Sequence, residues 1–85
     1  MRVISQHGNV DLPYEQLVVC HAMESVTALY NGEKYVLGKY SSKEKAYKAM
    51  EMLREAWINE AIEFTHGIYH RNIVFQFPQD DEIEV

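Results

Sequence analysis

Over the first forty residues the apolar positions come in short runs separated by turn residues. Met1 to Ser5 predicts a short strand, with Val3 and Ile4 as its apolar content, and His7-Gly8-Asn9 is turn material. Val10-Asp11-Leu12 is expected to be extended, because Pro13 keeps Leu12 out of the helical region. Gln16 to Ala22, with Leu17, Val18 and Val19, predicts a further strand. Ser25 to Tyr30 and Glu33 to Tyr40 flank Asn31-Gly32. That pair between two such runs predicts a hairpin, since both central residues of a type I′ turn need positive φ.

A two-residue loop sets a register that pairs Tyr30 with Glu33, Ala28 with Tyr35, Val26 with Leu37 and Glu24 with Lys39. Val26, Ala28, Tyr35 and Leu37 then share one face. The other face, with Thr27, Leu29, Lys34, Val36 and Tyr40, is not cleanly polar, which points to a second layer such as another subunit.

After Tyr40 the period changes. Ser41-Ser42-Lys43-Glu44 fits a capping box with Ser41 as N-cap. Ala46, Ala49, Met50, Leu53, Trp57 and Ala61 recur at helical spacing as one apolar stripe. The stripe predicts Leu53 and Trp57 as core or interface residues, not ligand contacts. Gly67 is a plausible stop. A helix run to Thr65 would be ~35 Å long and would overhang the sheet. It either breaks near Asn59 or packs its far end, with Ile58, Ile62 and Phe64, on another subunit; those apolar side chains favour the second option. Asn72 to Phe77 predicts a last strand, ended by Pro78. The expected fold class is therefore α+β: an antiparallel sheet of about four to five short strands with one long helix packed on it.

The 85-residue chain is long enough for one domain. Its core must be thin, so oligomerisation is a common support. No repeat or linker divides it. Of the net charge of −5, four carboxylates lie in Asp80-Asp81-Glu82-Ile83-Glu84-Val85. The expected organisation is a domain over 1–79 and an acidic tail over 80–85. Without the tail, eight bases face nine acids, which disfavours DNA as a partner. A single cysteine, Cys20, excludes an internal disulfide. With no signal-peptide pattern and no run of ~20 apolar residues, the expectation is a cytoplasmic protein that does not enter a membrane.

Candidate chemistry is sparse. His66 and His70 are four apart but straddle Gly67, and His7, His21 and Cys20 lie elsewhere, so no metal site is expected. Cys20 and His21 point to opposite faces of a strand and form no dyad; Cys20 is expected in the core. No catalytic residue and no cofactor is expected, since glycine patterns for phosphate or dinucleotide binding are absent. The helix start at Ser41-Ser42-Lys43 could hold phosphate, though a capping box uses those donors. Arg54, one turn before Trp57, and Arg71, between Tyr69 and Phe75, stand beside aromatic side chains. Arginine with aromatics is what a phosphate plus a purine ask for. Alternation from Tyr69 to Phe77 places Tyr69, Arg71, Ile73, Phe75 and Phe77 on one side. The candidate ligand-binding set is Arg71, Tyr69, Phe75, Arg54, Phe64 and Asn72.

Four stretches carry a family resemblance. They are Met1-Arg2-Val3-Ile4-Ser5-Gln6-His7-Gly8-Asn9-Val10-Asp11-Leu12-Pro13-Tyr14-Glu15, Leu37 to Ala46, Ala49-Met50-Glu51-Met52-Leu53-Arg54-Glu55-Ala56, and the closing Phe75 to Val85. They resemble small proteins of phages and prophages in Firmicutes, most of all the Thoeris anti-defence proteins of the first type, sponges for glycocyclic ADP-ribose signals. The resemblance is weaker between Val18 and Tyr30 and between Asn59 and Tyr69.

It implies a non-catalytic homo-oligomer, dimer to hexamer, with a cyclic nucleotide signalling molecule at subunit interfaces, acting in the cytoplasm of an infected bacterial host. Cyclic di- and trinucleotides fall within the family's ligand range. It carries no contact residue across by itself. Two rival expectations stand beside it: an inhibitor that binds a host defence complex such as a CRISPR effector through its acidic surface, and an accessory phage protein with no ligand.

Overall fold

The computed structural model describes residues 1–59, 61–64, 67–70 and 74–85, and of 61–64 and 67–70 the backbone alone. The chain runs β1 (Arg2–Ile4), β2 (Asp11–Pro13), a 3-10 turn (Tyr14–Gln16), β3 (Val18–Ala22), β4 (Ser25–Tyr30) and β5 (Glu33–Lys39). The helix α1 (Lys43–Asn59) follows, then β6 (Ala61–Phe64), β7 (Gly67–His70), β8 (Val74–Gln76) and a 3-10 turn (Asp80–Glu82). The α+β class with one long helix is as expected.

The strands do not form one antiparallel sheet. One three-stranded sheet has the order β2-β1-β8, a second has β3-β4-β5, and β6 pairs with β7 as a hairpin. The first sheet is mixed, because β8 lies parallel to β1.

Asn31 (φ 51°) and Gly32 (φ 78°) both take the left-handed conformation that the β4–β5 turn requires. The expected register holds from Tyr30–Glu33 through Ala28–Tyr35, and then slips. A bulge between Val26 and Thr27 pairs Val26 with Gly38 and Ser25 with Lys39, in place of Val26–Leu37 and Glu24–Lys39. The extra residue lets Leu37, 1% exposed, stay in the core beside Val26 and Ala28. It also brings Tyr40 inward: its ring lies over Gly38, and its hydroxyl donates to the Pro78 carbonyl at 2.9 Å.

The helix cap is Ser42, not Ser41. The Ser42 hydroxyl accepts from the Lys45 backbone N–H at 3.2 Å, so Glu44 sits one position too early to complete a box. Ala46, Ala49 and Leu53 are buried against the second sheet, with Met50, Ala56 and Trp57 partly buried beside them. The helix stops at Asn59, the first of the two expected outcomes and not the favoured one, and Ala61 to Phe64 is a strand whose register pairs Ile62 with Tyr69 and Phe64 with Gly67. Gly67 opens β7 rather than closing a helix. Ala61, Ile62 and Phe64 are apolar at spacings compatible with either period, so pairing with β7 decides the outcome.

Gln6 joins the sheets. Its backbone N–H donates to Leu37 O at 2.7 Å, and its amide oxygen accepts from Lys39 N–H at 3.1 Å. Its amide nitrogen donates to Pro78 O at 3.3 Å, and its carbonyl accepts from the Gln79 amide at 2.8 Å. Buried at 6% exposure, it has a partner at each of its four polar atoms. No described helix is long and apolar enough to cross a membrane.

Candidate functional site: an aromatic groove beside the helix

Pro13 holds an extended conformation (φ −77°, ψ 122°) and opens the 3-10 turn Tyr14–Gln16. This turn swings Tyr14 back across α1, where its ring meets that of Trp57 at a centroid distance of 4.9 Å and an interplanar angle of 38°. Met50, Leu53, Arg54 and Trp57 recur at three and four residues along one side of α1. With Tyr14, Glu15, Leu17 and Val19 they line a surface groove of about 510 Å³.

The groove has apolar and aromatic walls and two charged side chains. Arg54 is exposed. Glu15 accepts from the Met1 ammonium at 2.8 Å through Oε1. Aromatic walls and a guanidinium are the kinds of group that take a planar ring and an anion.

Of the six candidate ligand residues, Arg71 and Asn72 lie outside the described residues. Tyr69 and Phe64 fall in β7 and β6, where the backbone is described. Phe75 is half-buried in β8 with its ring edge-on to Phe77 at 5.3 Å, packed against the core. Arg54 lines the groove. Trp57, expected as a core or interface residue and not as a ligand contact, is partly buried and lines the groove. Tyr14, Glu15, Leu17 and Val19 were not singled out by sequence reasoning. The available signal was Pro13-Tyr14, an aromatic placed in a turn immediately before a strand.

Cys20 is exposed, contrary to the core position expected of it. It lies on the face of the second sheet away from the helix, its Sγ 3.3 Å from the Thr27 hydroxyl, while His21 turns to the helix side and stacks edge-on with Tyr47 at 5.7 Å. Among the described residues no three His, Cys, Asp or Glu side chains come together to hold a metal.

The start of α1 already holds an anion from this chain. Asp80 Oδ1 accepts from the Ser41 backbone N–H at 2.7 Å, and Lys45 Nζ donates to the Asp80 carbonyl at 2.9 Å. The Ser41 hydrogen bond, with help from Lys45, holds the Asp80 carboxyl below the usual carboxylate range. Ile83, 4% exposed, is part of the core. The acidic segment is thus docked, with its anchor at the helix start that could have held a phosphate.

A second depression, about 340 Å³, is lined by Gln6, His7, Asn9 and Val36 to Lys39. Its Gln6 amide is already committed to Lys39 and Pro78. Comparison with protein-family models, curated proteins and solved structures found no match for this chain.

Proposed function

We propose that this chain is a non-catalytic binder that sequesters a cyclic nucleotide-type immune signal of the glycocyclic ADP-ribose kind. Cyclic di- or trinucleotides are its further ligands, and the binder works as a homo-oligomer. The observation that carries the reading is Arg54 on the rim of a groove walled by Tyr14 and Trp57. A base stacks on the aromatic wall and a phosphate takes the guanidinium. The volume of about 510 Å³ falls in the range of small-molecule sites, roughly 300–1,000 Å³. The family resemblance of the opening, the helix and the closing segment supports the same ligand class. A sponge lowers free signal by stoichiometry, so the function requires tight binding and slow release rather than turnover.

Thermal unfolding with glycocyclic ADP-ribose, ADP-ribose, a cyclic dinucleotide and a cyclic trinucleotide tests the reading. A ligand at about 100 times its Kd adds ~2.7 kcal/mol of stability. For a domain of this size that raises Tm by roughly ten degrees or more. No shift with any of the four overturns the proposal and leaves the protein-binding inhibitor as the reading to pursue.

A further inference from the structure

The edges of the two three-stranded sheets are not equally protected. A free strand edge presents unpaired backbone groups, and proteins blunt such edges with charge, proline, bulges, short strands or a cover. In the β2-β1-β8 sheet, β2 carries Asp11 and Pro13, and β8 is kept to three residues. In the β3-β4-β5 sheet, β5 carries Glu33, Lys34 and Lys39, has a bulge, and is covered at Leu37 and Lys39 by Gln6.

Among the described residues, the edge formed by β3 has none of these. It reads Val18-Val19-Cys20-His21-Ala22, with no lysine, carboxylate or proline, and its register to β4 is unbroken over all five residues. Four of the five are exposed, Val18 at 61%. Among the described residues no strand lies on its outer side.

We propose that β3 pairs with β3 of a second copy of this chain, antiparallel about a two-fold axis at Cys20, joining two three-stranded sheets into one. The backbone is set for it. Ala22 and Ser25 flank the two-residue loop Met23-Glu24, with Met23 at φ 55°. Pairs in such a hairpin alternate, so Ala22, Cys20 and Val18 exchange backbone hydrogen bonds with β4. The N–H and C=O groups of Val19 and His21 therefore point to the open edge.

About a two-fold at Cys20 these two residues face each other's copies and exchange hydrogen bonds. Cys20 faces Cys20, and Val18 faces Ala22. Pairing of one sequence with itself in this way is isologous and closes at a dimer, and it juxtaposes no like charges. The outer face next to the axis is ready to be continued: Val18, Leu29 and Val36 are exposed there, and the Thr27 hydroxyl between them already donates to the Cys20 carbonyl at 3.4 Å. On the inner face, His21 of the partner subunit comes beside Val19, a groove residue, so the second copy extends the groove wall. The pairing stands whatever ligand the groove takes.

The test uses the single cysteine as reporter. In a non-hydrogen-bonded pair facing Cα atoms are about 4.5 Å apart, within the ~4.4–6.8 Å that a disulfide spans. Sedimentation of the full chain at tens of micromolar should give twice the chain mass of 10.0 kDa, and mild oxidation should link the copies through Cys20. Cys20→Lys places two ammonium groups at the axis on an exposed position and should weaken dimerisation roughly tenfold or more, with the circular dichroism of the fold unchanged. His21→Pro removes an outward N–H that the ladder to β4 does not use, and should do the same. A monomer at every concentration overturns the proposal. So does a dimer whose affinity is unmoved by folded His21→Pro.

Discussion

The Asp80 carboxylate accepts the Ser41 backbone N–H at 2.7 Å, closing the C-terminal segment onto the start of α1. The contact joins positions 39 residues apart and uses the N–H of the residue just before the helix cap. Around it, Gln79 and Glu82 cap their own 3-10 turn and Ile83 enters the core.

Truncation after Gln79 should therefore destabilise the fold. Removing a buried isoleucine costs about 1.5–3 kcal/mol in burial alone, which lowers Tm by roughly 6 to 24 degrees in a domain of this size. Differential scanning calorimetry of the truncated chain checks this. An unchanged Tm would show that the segment is a passive tail.

Asp80 also gives the stability a pH dependence of defined sign. Its carboxyl is held below the usual range, first by the Ser41 hydrogen bond and then by Lys45. A group with a depressed folded pKa stabilises above its unfolded pKa, about 3.9 for aspartate, and the contribution is lost as pH falls through the folded value. Wild type should be more stable than Asp80→Ala at neutral pH. The difference should shrink on acidification below the ordinary aspartate pKa. Urea titrations of both chains across that window measure it. A difference independent of pH would assign the effect to packing.

Gly38→Ala should destabilise through Tyr40. A Cβ at Gly38 would lie 2.8 Å from the Tyr40 hydroxyl oxygen and 2.9 Å from a ring carbon. That ring is held, 5% exposed, with its hydroxyl on Pro78 O. Overpacking of this kind costs about 1–3 kcal/mol. Thermal unfolding of Gly38→Ala against Gly38→Ala with Tyr40→Leu gives the check: the penalty should be smaller where the ring is gone.

These contacts show where the sequence was legible. Asn31-Gly32 placed the β4–β5 turn and its first pairs, because two positive-φ residues admit few alternatives. The bulge was hidden: Gly38 reads as an ordinary strand residue until Tyr40 has to fold over it. Ala46, Ala49 and Leu53 were legible as the buried side of α1. The end of the helix was not, since Ile58, Ala61, Ile62 and Phe64 satisfy a helical stripe as well as a hairpin. Within the groove, Arg54 and Trp57 could be read as one-turn neighbours. Tyr14 reaches them through a tertiary turn that local spacing does not encode. Asp80 and Ile83 sit in a stretch whose charge reads as a solvated tail, and only packing reveals the anchor.

The central claim is that the groove at Tyr14, Arg54 and Trp57 holds a phosphate-bearing aromatic ligand. Calorimetric titration of wild type, Arg54→Ala and Arg71→Ala with glycocyclic ADP-ribose tests it most directly. Hydrogen bonds to a charged group are worth about 1.5–3 kcal/mol, so Arg54→Ala should weaken binding roughly tenfold to a hundredfold in a folded protein. Unchanged affinity in folded Arg54→Ala, with the loss falling on Arg71→Ala instead, would contradict the assignment and move the site away from the groove.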